Sequence, residues 1–302
     1  MKAIIFNDKD NSDRSLNRLN KKRSFDDKRF WKIGLFHGYI FDKVKGLLVN
    51  QCSSIELVKT LIYTGEYNPR AINNVKKSCG LKIKEMNELI KKENLLLTKV
   101  NSIIGHDELK KEVLEHVNSV KNIFESLKNR YVDAISKQGK NSDGQKAFFS
   151  YVRENLLFTE LRTTPLVTRD GIIQQKGVDA KFATDLILLA QSNAFDVAIL
   201  LSGDADLKES IKLIRERYGK LVVVVAYRSP RPEDHIENTI SDDLLKECDY
   251  FFNLYDFSEN EIFKISDKKI PKKELLTNNP PHPSYVDQVY PTGAALVTNR
   301  KY

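Results

Sequence analysis

Four of the five aspartates in one segment, QQKGVDAKFATDLILLAQSNAFDVAILLSGDADLKES at residues 174–210, are candidates for chemistry. They lie at or near the ends of its apolar runs and are Asp179, Asp185, Asp204 and Asp206. Carboxylates brought together in a partly desolvated place repel one another and raise one another's pKa. A hard divalent cation such as Mg²⁺ or Mn²⁺ prefers oxygen ligands and would offset this cost. The acids therefore predict a metal site, and a water on such a cation can be aligned with a phosphodiester.

The elements that would position these acids are strands with continuous apolar character, which is typical of strands covered on both faces. In the second half of the chain they alternate with helical patterns, which favours an α/β fold with a mainly parallel sheet and helices on both faces. Gly219 follows one helical pattern and predicts its end. The predicted strands lie at 3–6, 57–63, 156–161, 197–201, 221–227 and 250–254, and the predicted helices at 180–191, 206–218 and 242–247.

The carboxyl edge of a parallel sheet is where ligands bind in such folds. Asp8 follows the first predicted strand, and Asp204 and Asp206 follow the strand at 197–201. At about 100° per residue, Asp179 falls within the sheet-facing arc of its helix, whereas Asp185 lies about 40° outside that arc. Each acid alone has an ordinary explanation as a helix cap or a loop residue. Three distant segments that bring carboxylates to one edge are instead the arrangement expected of a Mg²⁺ or Mn²⁺ site.

Composition excludes several classes of protein. The formal net charge of +8 over 302 residues suits a polyanionic partner such as nucleic acid, although solvated lysine-rich helices explain it equally well. The three cysteines have no metal-binding or disulfide spacing, and the five histidines show no paired spacing. No apolar run approaches the roughly 20 residues of a membrane span, so we expect no membrane association and a cytoplasmic protein. There is no P-loop and no dinucleotide-binding glycine pattern.

The region 74–144 differs from the rest because it lacks strand-like runs. Apolar residues from Val113 to Tyr131 recur at heptad spacing, which predicts a long helix with an apolar seam. With a looser stripe before it and the GHDE break at 105–108, the pattern predicts a helical hairpin inserted in the α/β domain. The seam is explained by contact between the two helices, and a homodimer or another protein partner is the alternative. Residues 257–302, rich in lysine, proline and asparagine, are predicted to be a flexible tail.

The segments QKGVDAKFATDLILLA and FDVAILLSGDADLKESIKLIRERYGKLVVVVAY, with AIIFNDKDN and LIYTGEY, resemble the NYN domains of the PIN-like ribonuclease superfamily. The resemblance implies one NYN/PIN-like domain over 1–256, interrupted by the hairpin, with a Rossmann-like sheet. It implies metal-dependent RNA cleavage, with Mg²⁺ or Mn²⁺ as the cofactor and RNA as the partner. It assigns catalysis to Asp8, Asp179, Asp204 and Asp206, and metal binding to these four and Asp185. Asn11 stands at the family's asparagine, and Lys9 replaces the usual small residue after the first acid.

An RNA strand at this edge would need cations for its phosphates and aromatic faces for its bases. The predicted substrate-binding residues are Lys9, Asn11, Lys176, Ser202 and Arg228. Further candidates are the basic residues after the first strand, among them the cluster NKKR at 20–23, and the tyrosines after the second strand; they are Arg14, Arg18, Lys21, Lys22, Arg23, Tyr63 and Tyr67.

Two other functions compete with a ribonuclease. FNDKDN also reads as a strand followed by Asp-x-Asp, as in haloacid-dehalogenase-like phosphatases, with Asp8 as a covalent nucleophile and Asp10 as the acid. Ser12 stands where that pattern has Thr or Val, which weakens this reading. The other alternative is a non-catalytic RNA-binding or scaffold protein on the same fold, in which the helical hairpin makes the contacts.

Overall fold

The computed structural model describes residues 1–25, 28–102, 105, 107–169, 172–230 and 238–268. These residues divide into two compact units, one formed by 1–64, 150–163 and the chain from 177 onward, the other by 65–149 and 164–176. The strands are β1 Lys2–Asp8, β2 Arg29–Trp31, β3 Glu56–Glu66, β4 Thr159–Pro165, β5 Val167–Arg169, β6 Ile172–Gln174, β7 Val197–Leu201, β8 Leu221–Ala226, β9 Tyr250–Asn253 and β10 Ser266–Lys268. The helices are α1 Lys9–Arg23, α2 Ile33–Leu47, α3 Pro69–Asn101, α4 Asp107–Asn155, α5 Val178–Gln191, α6 Lys208–Tyr218, α7 Asp242–Glu247 and α8 Glu259–Ile265.

A six-stranded sheet of order β4-β3-β1-β7-β8-β9 forms the centre of the first unit. The pairings of β1 with β3 and β7, of β7 with β8, and of β8 with β9 are all parallel. Every residue of β7 is buried, as its unbroken apolar sequence predicts. This α/β architecture with helices flanking a mainly parallel sheet confirms the predicted fold class. Because β1 and β7 are neighbours, Asp8 at the end of β1 and Ser202 directly after β7 lie at one edge.

The core on one face of the sheet packs α5 and α6 against alternate residues of β1, β7 and β8. Phe6 meets Phe182 and Phe195 at ring-centroid distances of 5.9 and 5.5 Å. Leu186 of α5 and Ile211 of α6 are fully buried in the same cluster. Helix α6 ends at Gly219, which takes the left-handed conformation at φ 62°, as predicted. These contacts fix the ends of β7 and α5, from which the candidate acids project.

The sequence did not predict α1, α2 or β2. Helix α1 is mostly polar and buries only two large apolar side chains, Leu16 and Leu19, so its helical period is weak. Small polar residues fill the rest of its inner face, and the Trp31 indole N–H donates to the Ser12 carbonyl at 3.0 Å. Strand β4 begins three residues later than predicted, because α4 continues to Asn155 and an exposed turn follows it.

The prediction of a flexible tail over 257–302 is wrong for its first residues. Residues 259–268 form α8 and β10, and β10 pairs antiparallel with β2. Ser258 and Glu261 make a capping box at the start of α8, and Ile262 is fully buried. Pairing with the chain-distant β2 thus orders a segment whose local composition is polar. The remainder of the predicted tail, 269–302, lies outside the described residues.

The second unit contains α3 and the greater part of α4, two long helices in the region where a helical hairpin is predicted at 74–144. The helices extend past these bounds, from Pro69 to Asn155. Within the second unit, Val117 is buried and the other seam positions from Val113 to Tyr131 are half-buried. The phenol of Tyr67 donates to Gln138 at 3.0 Å, and the Gln145 amide donates to the Gly65 carbonyl at 2.6 Å. Among the described helices, including this long pair, none has the combination of length and apolar character that crossing a bilayer requires.

Candidate functional site

Asp8 is the last residue of β1 and the N-cap of α1. Its carboxylate accepts a hydrogen bond from the Asn11 backbone N–H at 3.1 Å and one from the Ser202 hydroxyl at 3.3 Å. Only 4% of the residue is exposed. Burial is the largest influence on this group and raises its pKa to about 6, with the charges of Asp10 and Asp179 adding to the rise. Asp8 is therefore a carboxylate held in place but poorly solvated.

The loop after β7 carries Ser202, Gly203 and Asp204 to the same edge. The Ser202 hydroxyl, which donates to Asp8, also accepts from the Asp204 backbone N–H at 3.3 Å. The Gly203 N–H donates to the buried side-chain oxygen of Asn11 at 3.2 Å, which ties the loop to α1. Asp204 in turn accepts from the Asp206 N–H at 3.1 Å and caps a short 3-10 helix. The hydrogen bonds thus link the loop directly to Asp8.

Asp179 is the second residue of α5 and is more exposed than Asp8. Partial burial raises its pKa, and the negative charges of Asp204 and Asp206 raise it further. Asp8 also feels the charge of Asp179. Asp179 therefore lies within electrostatic range of Asp8, Asp204 and Asp206. Repulsion of this kind is what a bound cation relieves.

The donor set fits a hard divalent cation, because it consists of carboxylate oxygens with a hydroxyl and an amide beside them. Within the described residues, no group of three or more His, Cys, Asp or Glu side chains converges closely enough to hold a metal ion. A cation at this edge would accordingly be bound by one or two carboxylates and keep several waters, which is the usual behaviour of Mg²⁺.

Asp185 contacts Tyr63 and Arg162 and none of the other candidate acids among its described contacts. Its carboxylate accepts from the buried Tyr63 hydroxyl at 3.1 Å and lies 3.7 Å from the Arg162 guanidinium. Arg162 also pairs with Glu160 at 2.6 Å. Asp185 thus belongs to a network at the β3 and β4 side of the sheet. Its predicted role as a metal ligand stays a prediction.

The predicted substrate-binding side chains are differently placed. Asn11 is buried and structural in its contacts, as described above for its bond to the Gly203 loop. Lys9 forms an ion pair with Asp13 one turn along α1. Arg228 follows β8 and pairs with Asp242 at 2.9 Å in an exposed ion pair, which costs little to break. Lys176 is exposed and belongs to the second unit, and its role stays a prediction.

Arg14 lies beside the candidate acids, a position that the sequence analysis did not predict. It lies on α1, its Nε donates to the Asp10 carbonyl at 3.3 Å, and its charge lowers the pKa of Asp8, Asp10 and Asp179. From the sequence, Arg14 is only one of several basic candidates for RNA binding. Prediction of α1 as a helix would have placed Arg14 one turn after Asp10, and so beside the first acid.

Comparisons with known proteins agree with this architecture. The sequence pattern that defines the NYN domain matches residues 72–256. The match includes Asp179, Asp185, Asp204 and Asp206, whereas Asp8 and Asn11 lie before it.

The individual relatives are themselves uncharacterised. The chain is 41% identical over 62 residues to the uncharacterized protein y4oD of Sinorhizobium fredii, and the match covers 20% of this chain and 28% of that protein's length. A crystal structure of a protein of unknown function from Vibrio parahaemolyticus aligns with a TM-score of 0.37 at 17% identity, covering 84% of this chain and 93% of that one.

Proposed function

From the premise that this chain belongs to the NYN domain family, a family of PIN-like nucleases, we propose that it is a metal-dependent ribonuclease. It hydrolyses RNA phosphodiester bonds at the carboxyl edge of the sheet, with Mg²⁺ or Mn²⁺ as cofactor. We propose endonucleolytic cleavage, RNA as the partner and the cytoplasm as the location. Contact with a second copy or another protein through the helical hairpin stays a prediction.

The observation that supports the proposal is the electrostatic coupling of acids from three chain-distant segments. Burial is the largest cause that raises the pKa of Asp8 and of Asp179, and neighbouring acids raise each pKa further. A purely structural edge would gain stability by replacing such carboxylates, because uncompensated like charges are costly. The presence of these carboxylates together favours a site that binds a cation.

In this proposal Asp8, Asp179, Asp204 and Asp206 would hold the cation, directly or through its waters. The bound cation would supply a nucleophilic water and neutralise charge on the leaving oxygen. The Ser202 hydroxyl donates to the Asp8 carboxylate and accepts from the Asp204 backbone N–H. These two bonds orient the Asp8 carboxylate.

The test is cleavage of a labelled single-stranded RNA in the presence of Mn²⁺ or Mg²⁺. Asp179→Asn and Asp204→Asn remove charge with little change of shape and are expected to lower the rate at least a hundredfold, roughly the loss caused by removing a group that stabilises charge in the transition state. Asp42→Asn is the matched control, because Asp42 is exposed on α2. Undiminished cleavage in both site variants would show that this site does not cleave the RNA and would contradict the proposed ribonuclease.

The same assay separates the alternatives. RNA binding without cleavage in any divalent cation would support the scaffold function. Hydrolysis of a small phosphate ester that Asp8→Asn abolishes and Asp204→Asn leaves nearly unchanged would support the phosphatase.

A further inference from the structure

One side of α1 carries three basic residues, Arg14, Arg18 and Lys21. At about 100° per residue they fall within an arc of about 60°, and they span about 10 Å along the helix axis. Arg14 and Lys21 are exposed and Arg18 is half-buried. We call these three residues the α1 basic stripe.

The α1 basic stripe begins at the acids. Asn11, which contacts the Gly203 loop, lies about 20° from Arg18 on the helix circumference, so the stripe runs along the side of α1 that meets this loop. Its first member, Arg14, is already coupled electrostatically to Asp8 and Asp179. Lys9 and its partner Asp13 lie about 140° and about 100° from Arg14 on the helix circumference, so this ion pair falls outside the stripe.

Helix stability alone does not explain the stripe. Cations near a helix C-terminus complement the macrodipole, which accounts for Lys21, but this benefit is confined to the last turn. Arg14 lies in the second turn and Arg18 in the middle of α1.

We propose that the α1 basic stripe binds successive backbone phosphates of the RNA strand on one side of the cleaved bond and so sets the direction in which the strand crosses the site. This inference rests on the proposed function for its choice of RNA. The stripe is about as long as the rise of three stacked nucleotides at ~3.4 Å each, and its positive charge complements a phosphate backbone. The contacts are to phosphates, so the binding they provide is independent of base sequence.

The experiment measures binding of a fluorescent single-stranded RNA in EDTA, where cleavage does not interfere. The stripe variant is Arg14→Gln with Arg18→Gln and Lys21→Gln. The control variant removes three charges elsewhere in the same unit, from exposed residues at the amino edge of β1 and on α6: Lys2→Gln, Lys212→Gln and Arg217→Gln. Thermal unfolding of both variants shows that they remain folded, and Arg14→Lys with Arg18→Lys provides a second, charge-conserving variant.

Loss of three phosphate contacts lowers the slope of log K against log salt by about 2, at ~0.7 per contact for a single strand, and weakens binding roughly ten- to a hundredfold at 0.1 M salt. The expected result is this loss in the stripe variant and near-normal binding in the control and in the lysine variant. Equal binding by the stripe and control variants would overturn the inference. Stripe-dependent binding to anionic lipid vesicles or to an acidic protein, without RNA binding, would also overturn it.

Cleavage is read separately with Mn²⁺. RNA binding that depends on the stripe, in a protein that does not cleave RNA, would support the stripe inference and contradict the proposed ribonuclease. RNA cleavage by a protein whose RNA binding does not depend on the stripe would support the ribonuclease and overturn the stripe inference.

Discussion

A single methyl group added at Gly203 would disturb the geometry of the acidic edge. A Cβ built on Gly203 would lie 2.1 Å from the Thr239 carbonyl oxygen and 2.5 Å from the Ile240 Cα. Both neighbours are backbone atoms, so a rotamer change cannot relieve the clash. Gly203→Ala must therefore push the loop after β7 away from the segment at 239–240.

The cost has two parts. Overpacking of this kind costs about 1–3 kcal/mol. The displacement also weakens the bonds from the Gly203 N–H to Asn11 and from the Ser241 N–H to the Gly203 carbonyl, at about 1 kcal/mol each. The expected loss in the free energy of unfolding is about 3–5 kcal/mol.

Urea unfolding followed by tryptophan fluorescence measures this loss. Trp31 is the single tryptophan, lies in the same unit and stacks on Phe36, so it reports unfolding of this unit. Gly46→Ala on α2 is the matched control, because nothing lies within 4 Å of its added methyl and helix propensity favours alanine by up to about 1 kcal/mol. A Gly203→Ala protein within about 0.5 kcal/mol of the parent, the usual range of a surface substitution, would refute the reasoning.

Three further outcomes follow from the same structure. Asn11→Ala leaves the Gly203 N–H buried without its acceptor and should lower the free energy of unfolding by about 1–3 kcal/mol in urea; an unchanged stability would contradict this. Asp185→Asn should reduce RNA cleavage less than Asp204→Asn, because a tyrosine hydroxyl and a guanidinium already hold Asp185; equal losses in the cleavage rate would argue for a direct role. Hydrogen bonds from a lysine, a tyrosine and a cap backbone hold the pKa of Glu261 at about 2, below its ordinary 4.5, so its carboxylate stabilises the fold above pH 4.5 and loses this effect as pH falls towards 2. Glu261→Gln should therefore cost about 1 kcal/mol at pH 7, with a gap to the parent that narrows below pH 4.5, and a gap independent of pH would oppose this.

Local pattern sufficed where a strand is buried on both faces. The unbroken apolar sequence of β7 predicts its bounds, and the parallel order of β1 and β7 then places Asp8 beside the loop of Asp204. The sequence also predicts helix α7 with its observed bounds. Its acidic first turn and its pair of leucines are adjacent in sequence, so no long-range contact is needed to recognise it.

Local pattern failed where long-range contacts supply the stability. Strand β10 pairs with β2 more than 230 residues away in sequence, and its own three residues, Ser-Asp-Lys, carry no apolar signal. The surroundings of Asp185 are of the same kind, because Tyr63 comes from a strand 122 residues earlier. Helical spacing fixes where Asp185 lies on α5 but does not reveal which side chains occupy the facing strand.

Crystals soaked in Mn²⁺ and measured at a wavelength where manganese scatters anomalously would show directly whether the acidic edge binds a cation. We expect an anomalous peak at coordination distance from the carboxylates of Asp8, Asp179 or Asp204, and loss of this peak in Asp204→Asn crystals. Manganese bound elsewhere on the protein with no peak at this edge of the sheet would contradict the proposed cation site.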